Sequence, residues 1–418
     1  MDLLKNFFKG DKAVWIIFLF LCLISIIEVF SASSTLSFKT GDHWAPITNH
    51  LTMLLVGVFV VWIVHNIPCR WFKTFIVLLP ISWILLAIVL IMGIATNGAK
   101  RWIDLGIIQF QPSELGKMAT IITVAFILSK MYTENGEDKK AFRFILGVTG
   151  GTCALIITEN LSTAVLLAVS VYVLMLVARI PFKQMAKLTG IGIIGIILAF
   201  SVIWCVPASA WKAIGIERPI TWKERISDFS NNEQIPAAQY DLNNDAQVAH
   251  ANIAIATSSI LGKGPGNSVQ RDFLSQAYSD FIYAIIIEEM GLIGGAFVAL
   301  LYILLLMRIG KIANKCDKPY HMFLIMGIGI LLVIQALFNM LVAVGIMPVT
   351  GQPLPLISKG GTSTLINCIY IGMILSISKY ANEQQRLKEE QQTLGIQPEQ
   401  NAEPVAPENQ DANARQPV

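Results

Sequence analysis

The chain has 418 residues, of which 54% are hydrophobic and 14% are charged, and its formal net charge is +3. Soluble domains usually carry about 25% charged residues, whereas the mean hydropathy of this chain is +0.61. These values exclude an ordinary soluble enzyme, and the small net charge argues against a nucleic-acid partner. The composition indicates an integral membrane protein.

Ten apolar stretches approach the length of about 20 residues that a transmembrane helix needs. The predicted spans are residues 13–33, 49–67, 74–94, 113–130, 144–159, 161–179, 186–206, 281–307, 321–346 and 363–379. The predicted fold is therefore all-α and polytopic, with a large extracytoplasmic loop, residues 207–279, between helices 7 and 8. No cleavable signal peptide is predicted, because the first apolar run is long enough to span and lacks a clear small-residue cleavage site.

The basic residues predict the orientation of these spans. With residues 1–12 in the cytoplasm, the short inside segments and the tail contain most of the 31 Lys and Arg residues. An even number of spans then places both termini of the multi-pass domain, residues 13–380, in the cytoplasm. Residues 381–418 are predicted to be a disordered tail. Three outside segments, 95–112, 207–279 and 347–362, are long enough to suggest functional loops.

Several short patterns predict structure rather than chemistry. The six cysteines contain no CxxC pair and are predicted to be packing residues. The five histidines are scattered, so the sequence gives no clustered metal ligands. Gly262–Gly266 lacks the residue order of a P-loop and predicts a turn, one that could approach a ligand. Gly291 and Gly295 form a GxxxG pattern, which is typical of helix packing.

Asp280 is the first of three acidic residues in or beside the eighth predicted span. It follows Ser279, whose side chain could cap the helix and so place Asp280 in the first turn. The helix dipole favours an ionised carboxylate there, whereas desolvation disfavours it, and the sequence does not decide between them. Two interpretations stay open: a helix-capping Asp, or an anionic base at the membrane surface.

Glu288 and Glu289 are predicted to lie about 12 Å deeper along the same helix. Asp280, Ala284 and Glu288 fall near one helix face because they are spaced four residues apart. A carboxylate at that depth needs a partner or water. An internal salt bridge or hydrogen-bonded pair and a functional acid are the alternatives.

Charged residues also accompany the start of the fourth span. Glu114 and Lys117 are i, i+3 neighbours, so they could pair with each other, or Lys117 could meet a phosphate. Lys100 and Arg101 in the preceding loop add positive charge on the predicted outer side, against the usual charge bias. This excess favours an anionic ligand. Gln335, Asn339 and Asn367 are predicted to join helices by hydrogen bonds.

The segment Asn339–Ser363, NMLVAVGIMPVTGQPLPLISKGGTS, resembles the signature of the shape, elongation, division and sporulation polymerases of FtsW/RodA type. The residues that match the family pattern are Asn339, Gly345, Pro348, Gly351, Ser358, Gly360, Gly361 and Ser363. The resemblance extends over nearly all of residues 13–380 through three further segments: Gly98–Trp102 with Gln111–Glu114, Gly262–Ser268, and Tyr278–Gly291.

This chain departs from the family pattern at several positions. Where the family often has Pro-Asp-Leu-Gly-Thr, this chain has Glu159-Asn160-Leu161-Ser162-Thr163, which puts any role of that Asp in doubt or transfers it to Glu159. Lys359 stands where Tyr or Ser is common. Ala246-Gln247 replaces the usual Tyr-Gln of the large loop. None of the departures affects Asp280.

The resemblance implies a peptidoglycan glycosyltransferase that transfers the growing glycan from undecaprenyl diphosphate to the GlcNAc 4-hydroxyl of lipid II. Asp280 matches the essential acid of the family and is the expected catalytic residue, as a general base. Direct displacement would invert the anomeric carbon and give a β-1,4 glycoside. The diphosphate leaving group needs charge stabilisation, which Lys100, Arg101, Lys117 or a divalent cation, Mg²⁺ or Mn²⁺, could supply.

The resemblance also suggests substrate contacts and partners. The expected substrate-binding residues are Lys100, Arg101, Trp102, Glu114, Lys117, Gln247, Lys263, Glu288, Ser358, Gly360 and Gly361. The stretch Gly266–Arg271 looks more like the division branch, which implies septal synthesis with an FtsI-like class B penicillin-binding protein and other division proteins.

Three rival functions stay open. A lipid II flippase shares the many spans and the intramembrane charges, although the chain shows no convincing repeat between its halves and Asp280 lies at a span end. A scaffold that only recruits a transpeptidase would tolerate Asp280→Asn. An O-antigen ligase or polymerase would not need the Asn339–Ser363 segment.

Overall fold

A computed structural model describes residues 9–33, 45–96, 99–104, 109–131, 139–158, 160–213, 218–232, 246–274 and 277–393. The α-helices in chain order are α1 (Lys12–Ala32), α2 (Ala45–Asn66), α3 (Leu78–Met92), α4 (Pro112–Met131), α5 (Lys139–Ile157), α6 (Leu161–Val177), α7 (Phe182–Cys205), α8 (Ala208–Ala213), α9 (Arg218–Asn232), α10 (Ala246–Thr257), α11 (Ile282–Ala313), α12 (Pro319–Ala343) and α13 (Gly361–Thr393). Two 3₁₀ segments, Cys69–Val77 and Gln270–Asp272, precede α3 and α11.

Ten of these helices, α1–α7 and α11–α13, overlap the ten predicted spans, which confirms an all-α polytopic membrane protein. Among the described residues, seven segments are long and apolar enough to cross a membrane: α1, α2, the first 3₁₀ segment with α3, α7, α11, α12 and α13. Helices α5 and α6 are apolar but shorter. Helix α4 has 20 residues but carries Glu114, Lys117 and Lys130. The number of ten crossings stays a prediction.

The predicted loops contain more regular structure than the sequence suggested. Residues 95–112 include strands β2 (Ala99–Asp104) and β3 (Gln109–Phe110), which pair with β1 (Ile94–Thr96) in an antiparallel sheet of order β1-β2-β3. The large loop contains α8, α9 and α10. The prediction of a disordered tail was wrong for residues 381–393, which continue α13. Residues 394–418 lie outside the described part of the chain.

The helices form a core around α12, which packs against α4, α6, α11 and α13, while α13 packs most extensively along α2. Helix α1 begins at Asp11, whose carboxylate accepts the N–H groups of Ala13 and Val14 at 3.0 and 3.2 Å. Arg308, near the end of α11, donates from Nε to both carboxylate oxygens of Asp11 at 2.9 and 2.8 Å. The N-terminus of α1 is thus fixed to the far end of α11.

Helix α7 differs from this core because no residue of its apolar window is buried inside the protein. Its Ile191, Ile194 and Ile196 are more than half exposed. In a bilayer such a surface contacts lipid tails, so the exposure is the expected state of a membrane helix at the periphery.

Candidate active site

Asp280 lies in a turn that precedes α11, not in its first helical turn. Helix α11 begins at Ile282 with Phe281 as the N-cap residue, and no side chain caps it. The prediction that Ser279 is the N-cap was therefore wrong. The Ser279 hydroxyl instead donates to Asp280 Oδ1 at 3.1 Å, so it contacts the carboxylate itself.

The signature segment holds this turn by its backbone. Asn339 Nδ2 donates to the carbonyl of Asp280 at 2.8 Å and to the carbonyl of Gln352 at 2.8 Å. Ser358 Oγ donates to the carbonyl of Ser279 at 2.6 Å. The two side chains therefore fix the backbone of the turn, and helix α11 begins after it, at Ile282.

The loop opposite Asp280, residues 344–360, has an unusual backbone. Gly351 has φ +66° and lies so close to Asp280 that a Cβ there would be 3.5 Å from Oδ2. Leu356 also has a positive φ, 66°, although it carries a bulky side chain and is buried. Such a conformation costs about 1–3 kcal/mol and persists only when the surroundings enforce it. The neighbouring carbonyls of Pro355 and Ile357 accept the hydroxyls of Tyr302 and Ser25, so the loop is held from the protein interior.

A cleft of about 140 Å³ lies beside this turn and is lined by three arginines. Arg101 comes from β2, while Arg218 and Arg225 come from α9 in the large loop. Arg225 Nη1 donates to the carbonyl of Val349 at 2.9 Å, which connects α9 to the signature segment. Guanidinium groups match phosphate oxygens in bidentate geometry, so the cleft suits a phosphate-bearing anion.

The opposite wall of the cleft includes Asn160 and Ser162, from the segment that departs from the family pattern. Asn160 caps α6, since its side chain accepts the N–H of Thr163 at 3.2 Å. Thr163 Oγ1 in turn accepts a hydrogen bond from Gln352 Nε2 at 2.9 Å. This segment is therefore connected to the loop opposite Asp280. Glu159 lies outside the described residues.

The electrostatics of the turn suit a general base. Burial raises the pKa of Asp280, while the Ser279 hydrogen bond and the charges of Arg101 and Arg225 oppose that rise. Burial and the charge of Arg218 lower the pKa of Arg225, and the charge of Asp280 opposes that change. A carboxylate with a raised pKa accepts a proton more readily than a solvated Asp.

Lys117 does not reach this cleft. Its side chain is fully buried, Nζ lies 2.8 Å from Glu114 Oε1, and it donates to Gln335 Oε1 at 3.0 Å. Gln335 Nε2 then donates to the carbonyl of Pro353 at 3.0 Å. The structure thus shows the ion-pair alternative for Glu114 and Lys117, and it connects that pair to the loop that faces Asp280. Contact of either residue with substrate stays a prediction.

Glu288 and Glu289 end the first half of α11, because the helix is broken at Gly291, where φ is 73° and ψ −176°. Gly291 is therefore a helix break rather than the predicted packing contact. Four backbone hydrogen bonds of 2.8–3.3 Å join the Gly262–Gly266 turn and the residues before it to both half-helices: Lys263 N–Glu288 O, Gly264 N–Glu289 O, Leu292 N–Ser259 O and Ile293 N–Ile260 O.

Two glycines allow this close approach of backbone to backbone. A Cβ at Gly262 would lie 2.2 Å from the Glu289 carbonyl oxygen, and a Cβ at Gly291 would lie 2.2 Å from the Ile260 carbonyl oxygen. The loop satisfies peptide groups that a broken helix would otherwise leave unpaired in the membrane. The predicted turn at Gly262–Gly266 is confirmed, and its backbone contacts helix α11.

The two carboxylates at this break have several partners each. Glu288 accepts from Lys263 Nζ at 2.6 Å, the Ser268 hydroxyl, and the N–H groups of Val269 and Gln270. Glu289 accepts from the Ser31 hydroxyl and from the N–H groups of Gly266 and Ser268 at 2.9 and 3.1 Å. The structure shows the salt-bridge alternative for Glu288, which pairs with Lys263, and the Glu288 side chain is 0% exposed. Contact of either residue with substrate stays a prediction.

The other predicted residues are distributed around the turn. Arg101 lines the cleft, and Trp102 is half-buried on the same strand. Gly360 and Gly361 lie where the signature segment enters α13. Gln247 lies half-buried in α10. The Lys100 side chain lies outside the described residues.

Sequence reasoning missed Arg218 and Arg225. A cluster of basic residues could have indicated them: Arg218, Lys223 and Arg225 lie close together in a segment predicted to be outside, where basic residues are usually rare. The same argument had singled out Lys100 and Arg101. Within the described residues, no group of three His, Cys, Asp or Glu side chains could hold a metal ion.

The structure is thus that of a polytopic membrane protein with a half-buried carboxylate beside an arginine-lined cleft at the end of its helices. The family model described as "Cell cycle protein" (FtsW/RodA/SpoVE) matches residues 11–383, and the chain belongs to this family. The family resemblance given by the Asn339–Ser363 segment is thereby confirmed.

Curated relatives agree with this assignment. The "Probable peptidoglycan glycosyltransferase FtsW" of Coxiella burnetii is 30% identical over 387 residues, which cover 90% of this chain and 98% of the relative. "Stage V sporulation protein E" of Bacillus subtilis is 30% identical over 377 residues, covering 89% and 97%. The "Probable peptidoglycan glycosyltransferase FtsW" of Haemophilus influenzae is 30% identical over 375 residues, which cover 88% of this chain and 90% of the relative.

Solved structures share the fold. A chain of the structure "Structural coordination of polymerization and crosslinking by a peptidoglycan synthase complex" aligns with a TM-score of 0.71 at 22% identity, covering 89% of this chain and 98% of that one. The rod shape determining protein RodA of Thermus thermophilus aligns with a TM-score of 0.61 at 21% identity, covering 89% and 98%. At these identities the likeness concerns the fold alone.

Proposed function

We propose that this chain is a peptidoglycan glycosyltransferase that polymerises lipid II into glycan strands on the outer face of the cytoplasmic membrane during cell division. The observation that carries the proposal is the Asp280 turn, fixed by Asn339 and Ser358 beside a cleft with three arginines. The names of the curated FtsW relatives support both the glycosyltransferase activity and its septal role.

In this proposal Asp280 is the general base. It takes the proton from the GlcNAc 4-hydroxyl of lipid II while that oxygen forms a bond to the anomeric carbon of the glycan. The bond from that carbon to the diphosphate breaks, and its electron pair leaves on undecaprenyl diphosphate. Because the hydroxyl enters opposite the leaving group, the configuration inverts and a β-1,4 glycoside results.

The arginines serve the leaving group. Undecaprenyl diphosphate gains negative charge as the bond breaks, and preorganised cations stabilise developing charge most effectively in a partly desolvated site. We assign this role to Arg101, Arg218 and Arg225, which line the cleft. Arg101 was expected from the sequence, and Arg218 and Arg225 are added from the structure. Lys117 is buried away from the cleft, and the role of Lys100 stays a prediction.

Asp280 offers one carboxylate at the turn, and the nearby charges that act on it are those of arginines. A Mg²⁺ or Mn²⁺ ion held by this carboxylate would take its other ligands from substrate phosphates and water. The divalent cation stays a prediction, and the mechanism above contains no step through it.

We also propose the membrane orientation and the partners. Both termini lie in the cytoplasm and Asp280 faces outward, an arrangement supported by the Lys and Arg residues of the inside segments. The substrates are lipid II and the carrier-linked glycan. A class B penicillin-binding protein of FtsI type is the expected partner, together with other division proteins, because a structure with the same fold belongs to a complex named for polymerization and crosslinking.

The test is glycan-strand synthesis from labelled lipid II by the purified protein, alone and with its class B penicillin-binding protein. We expect Asp280→Asn to lower the rate by about 10²–10⁴-fold, the usual contribution of a general base. Asp272→Asn is the matched control, because Asp272 is an exposed carboxylate of the same loop. An Asp280→Asn protein with wild-type activity would reject the general base. No polymer from wild type with its partner would favour the flippase or scaffold functions.

A further inference from the structure

A second cavity, of about 400 Å³, lies at the opposite end of the helices from Asp280. It is bordered by the end of α2, the 3₁₀ segment after it, the start of α12 and the last apolar turns of α13. Asp280 lies just before the start of α11. This cavity adjoins the start of α12, which follows the end of α11. The two sites are therefore separated by the length of a membrane span.

Four basic side chains line the cavity, Arg70, Lys73, Lys318 and Lys379, with Glu383 as the single carboxylate. Among the described residues, none of the four makes a salt bridge. Other cations on this side of the protein do: Arg308 pairs with Asp11, and Lys388 with Asp317 at 2.6 Å. The cavity thus holds four cations and one carboxylate.

Aromatic rings position two of these cations. Lys73 Nζ lies 5.5 Å from the ring centre of Tyr320, and Lys318 Nζ lies 5.6 Å from that of Tyr380. A cation–π contact orients an ammonium group without using its hydrogen-bond donors. Both lysines are exposed, so their N–H groups are accessible to an anion at the cavity.

Two buried histidines also line the cavity. His65 is 1% exposed and His321 is 3% exposed. Both ring nitrogens of His65 and Nδ1 of His321 have no well-formed hydrogen bond within the described residues. The carbonyls of Leu375 and Cys69 lie near the two rings. The two histidines therefore give the cavity a polar wall behind its basic side chains.

We infer that this cavity binds a phosphate-bearing anion, the headgroup of an anionic phospholipid in the inner leaflet. Tyr380 borders it, as tyrosines do at the headgroup level of a bilayer. The sequence of α13 becomes polar after Tyr380, at Asn382 and Glu383, which places the cavity at the membrane surface. Basic pockets between membrane helices on the cytoplasmic side are suited to lipid phosphates. The inference rests on the proposed orientation but not on the proposed catalysis.

The test measures lipid affinity by native mass spectrometry of the full-length protein, titrated with phosphatidylglycerol or with phosphatidylcholine. The cavity variant Lys318→Gln/Lys379→Gln is compared with Lys311→Gln/Lys315→Gln, which removes the same charge from the same face outside the cavity. We expect about a 25-fold loss of phosphatidylglycerol affinity in the cavity variant, fivefold for each lysine. The control should lose less than about threefold, and phosphatidylcholine binding should not change.

Inorganic phosphate, added to lipid-free protein, tests whether the cavity binds a soluble phosphate rather than a phospholipid headgroup. Phosphate binding that is lost in the cavity variant alone would support the anion site and assign it to a soluble ligand. Equal losses in the cavity and control variants, or no loss in either, would overturn the inference. Both variants must keep the wild-type melting temperature. If the cavity variant melts at a lower temperature than wild type, the single variant Lys379→Glu is used in its place.

Discussion

The turn around Asp280 and the helix break around Glu289 lie nine residues apart on one segment, and each holds a carboxylate. Within the described residues, the Asp280 carboxylate accepts one hydrogen bond, from Ser279, and the charges that act on it come from arginines beside a cleft. The Glu289 carboxylate accepts three hydrogen bonds and is 0% exposed. A carboxylate has about four acceptor sites, so Asp280 keeps most of them for a substrate proton, whereas Glu289 uses three of them on the protein and is fully buried. Whether an acidic residue is reactive or structural therefore depends on its hydrogen-bond partners and not on the residue type.

The largest expected effect is on stability at the helix break. Glu289→Ala leaves the Ser31 hydroxyl and the N–H groups of Gly266 and Ser268 without their acceptor. We expect a loss of about 3–5 kcal/mol in the free energy of unfolding. Asp280→Ala should cost nothing comparable, because burial disfavours the ionised Asp280. Thermal unfolding of both variants in detergent measures the difference, and equal melting temperatures would contradict the comparison.

The buried ion pair behind the turn gives the next largest effect. Lys117→Met leaves the Glu114 carboxylate buried without its cation and should destabilise the protein by about 3 kcal/mol. Glu114→Gln/Lys117→Met removes both charges and should recover most of that stability. If Lys117 binds substrate phosphate instead, the double variant stays inactive while its melting temperature recovers. Melting temperature and glycan synthesis, measured on the same preparations, separate these outcomes.

A smaller effect is expected from the arginines of the cleft. Arg225→Ala removes a cation from the proposed diphosphate site and should lower the polymerisation rate by about 10–100-fold with little change in fold, the range expected for one charge-stabilising contact. Lys223→Ala on the same helix is the control, since the Lys223 ammonium lies over the Trp204 ring, 5.4 Å from its centre. Equal activities of the two variants would exclude Arg225 from the reaction.

The smallest effect concerns pH. A general base works only when it is ionised, and burial raises the pKa of Asp280. The acid limb of the kcat/KM profile should therefore lie above the pH at which a solvated Asp titrates, and activity should fall as pH drops through that limb. Arg225→Gln removes a charge that holds this pKa down, so the limb should move to higher pH. An unchanged limb, or a shift to lower pH, would show that another group titrates.

The spans and the signature segment could be predicted from the sequence because apolar length, charge bias and motif spacing are local properties. The start of α11 could not, since the carbonyls of Ser279 and Asp280 are bound by Ser358 and Asn339 from a segment far along the chain. The break at Gly291 depends in the same way on a loop that packs its backbone against α11. A GxxxG pattern alone carries no information about that neighbour.

By itself, the sequence determined that this protein crosses the membrane many times, that basic residues mark its predicted inside face, and that Asp280 precedes a span beside a motif-rich loop. Only the tertiary structure decided which charges are paired. It buried Lys117 with Glu114, enclosed Glu288 and Glu289 in hydrogen bonds, and brought Arg218 and Arg225 to the cleft with Arg101. The reason is physical: membrane insertion depends on the composition of each segment, whereas the reactivity of a charge depends on neighbours that folding brings from distant parts of the chain.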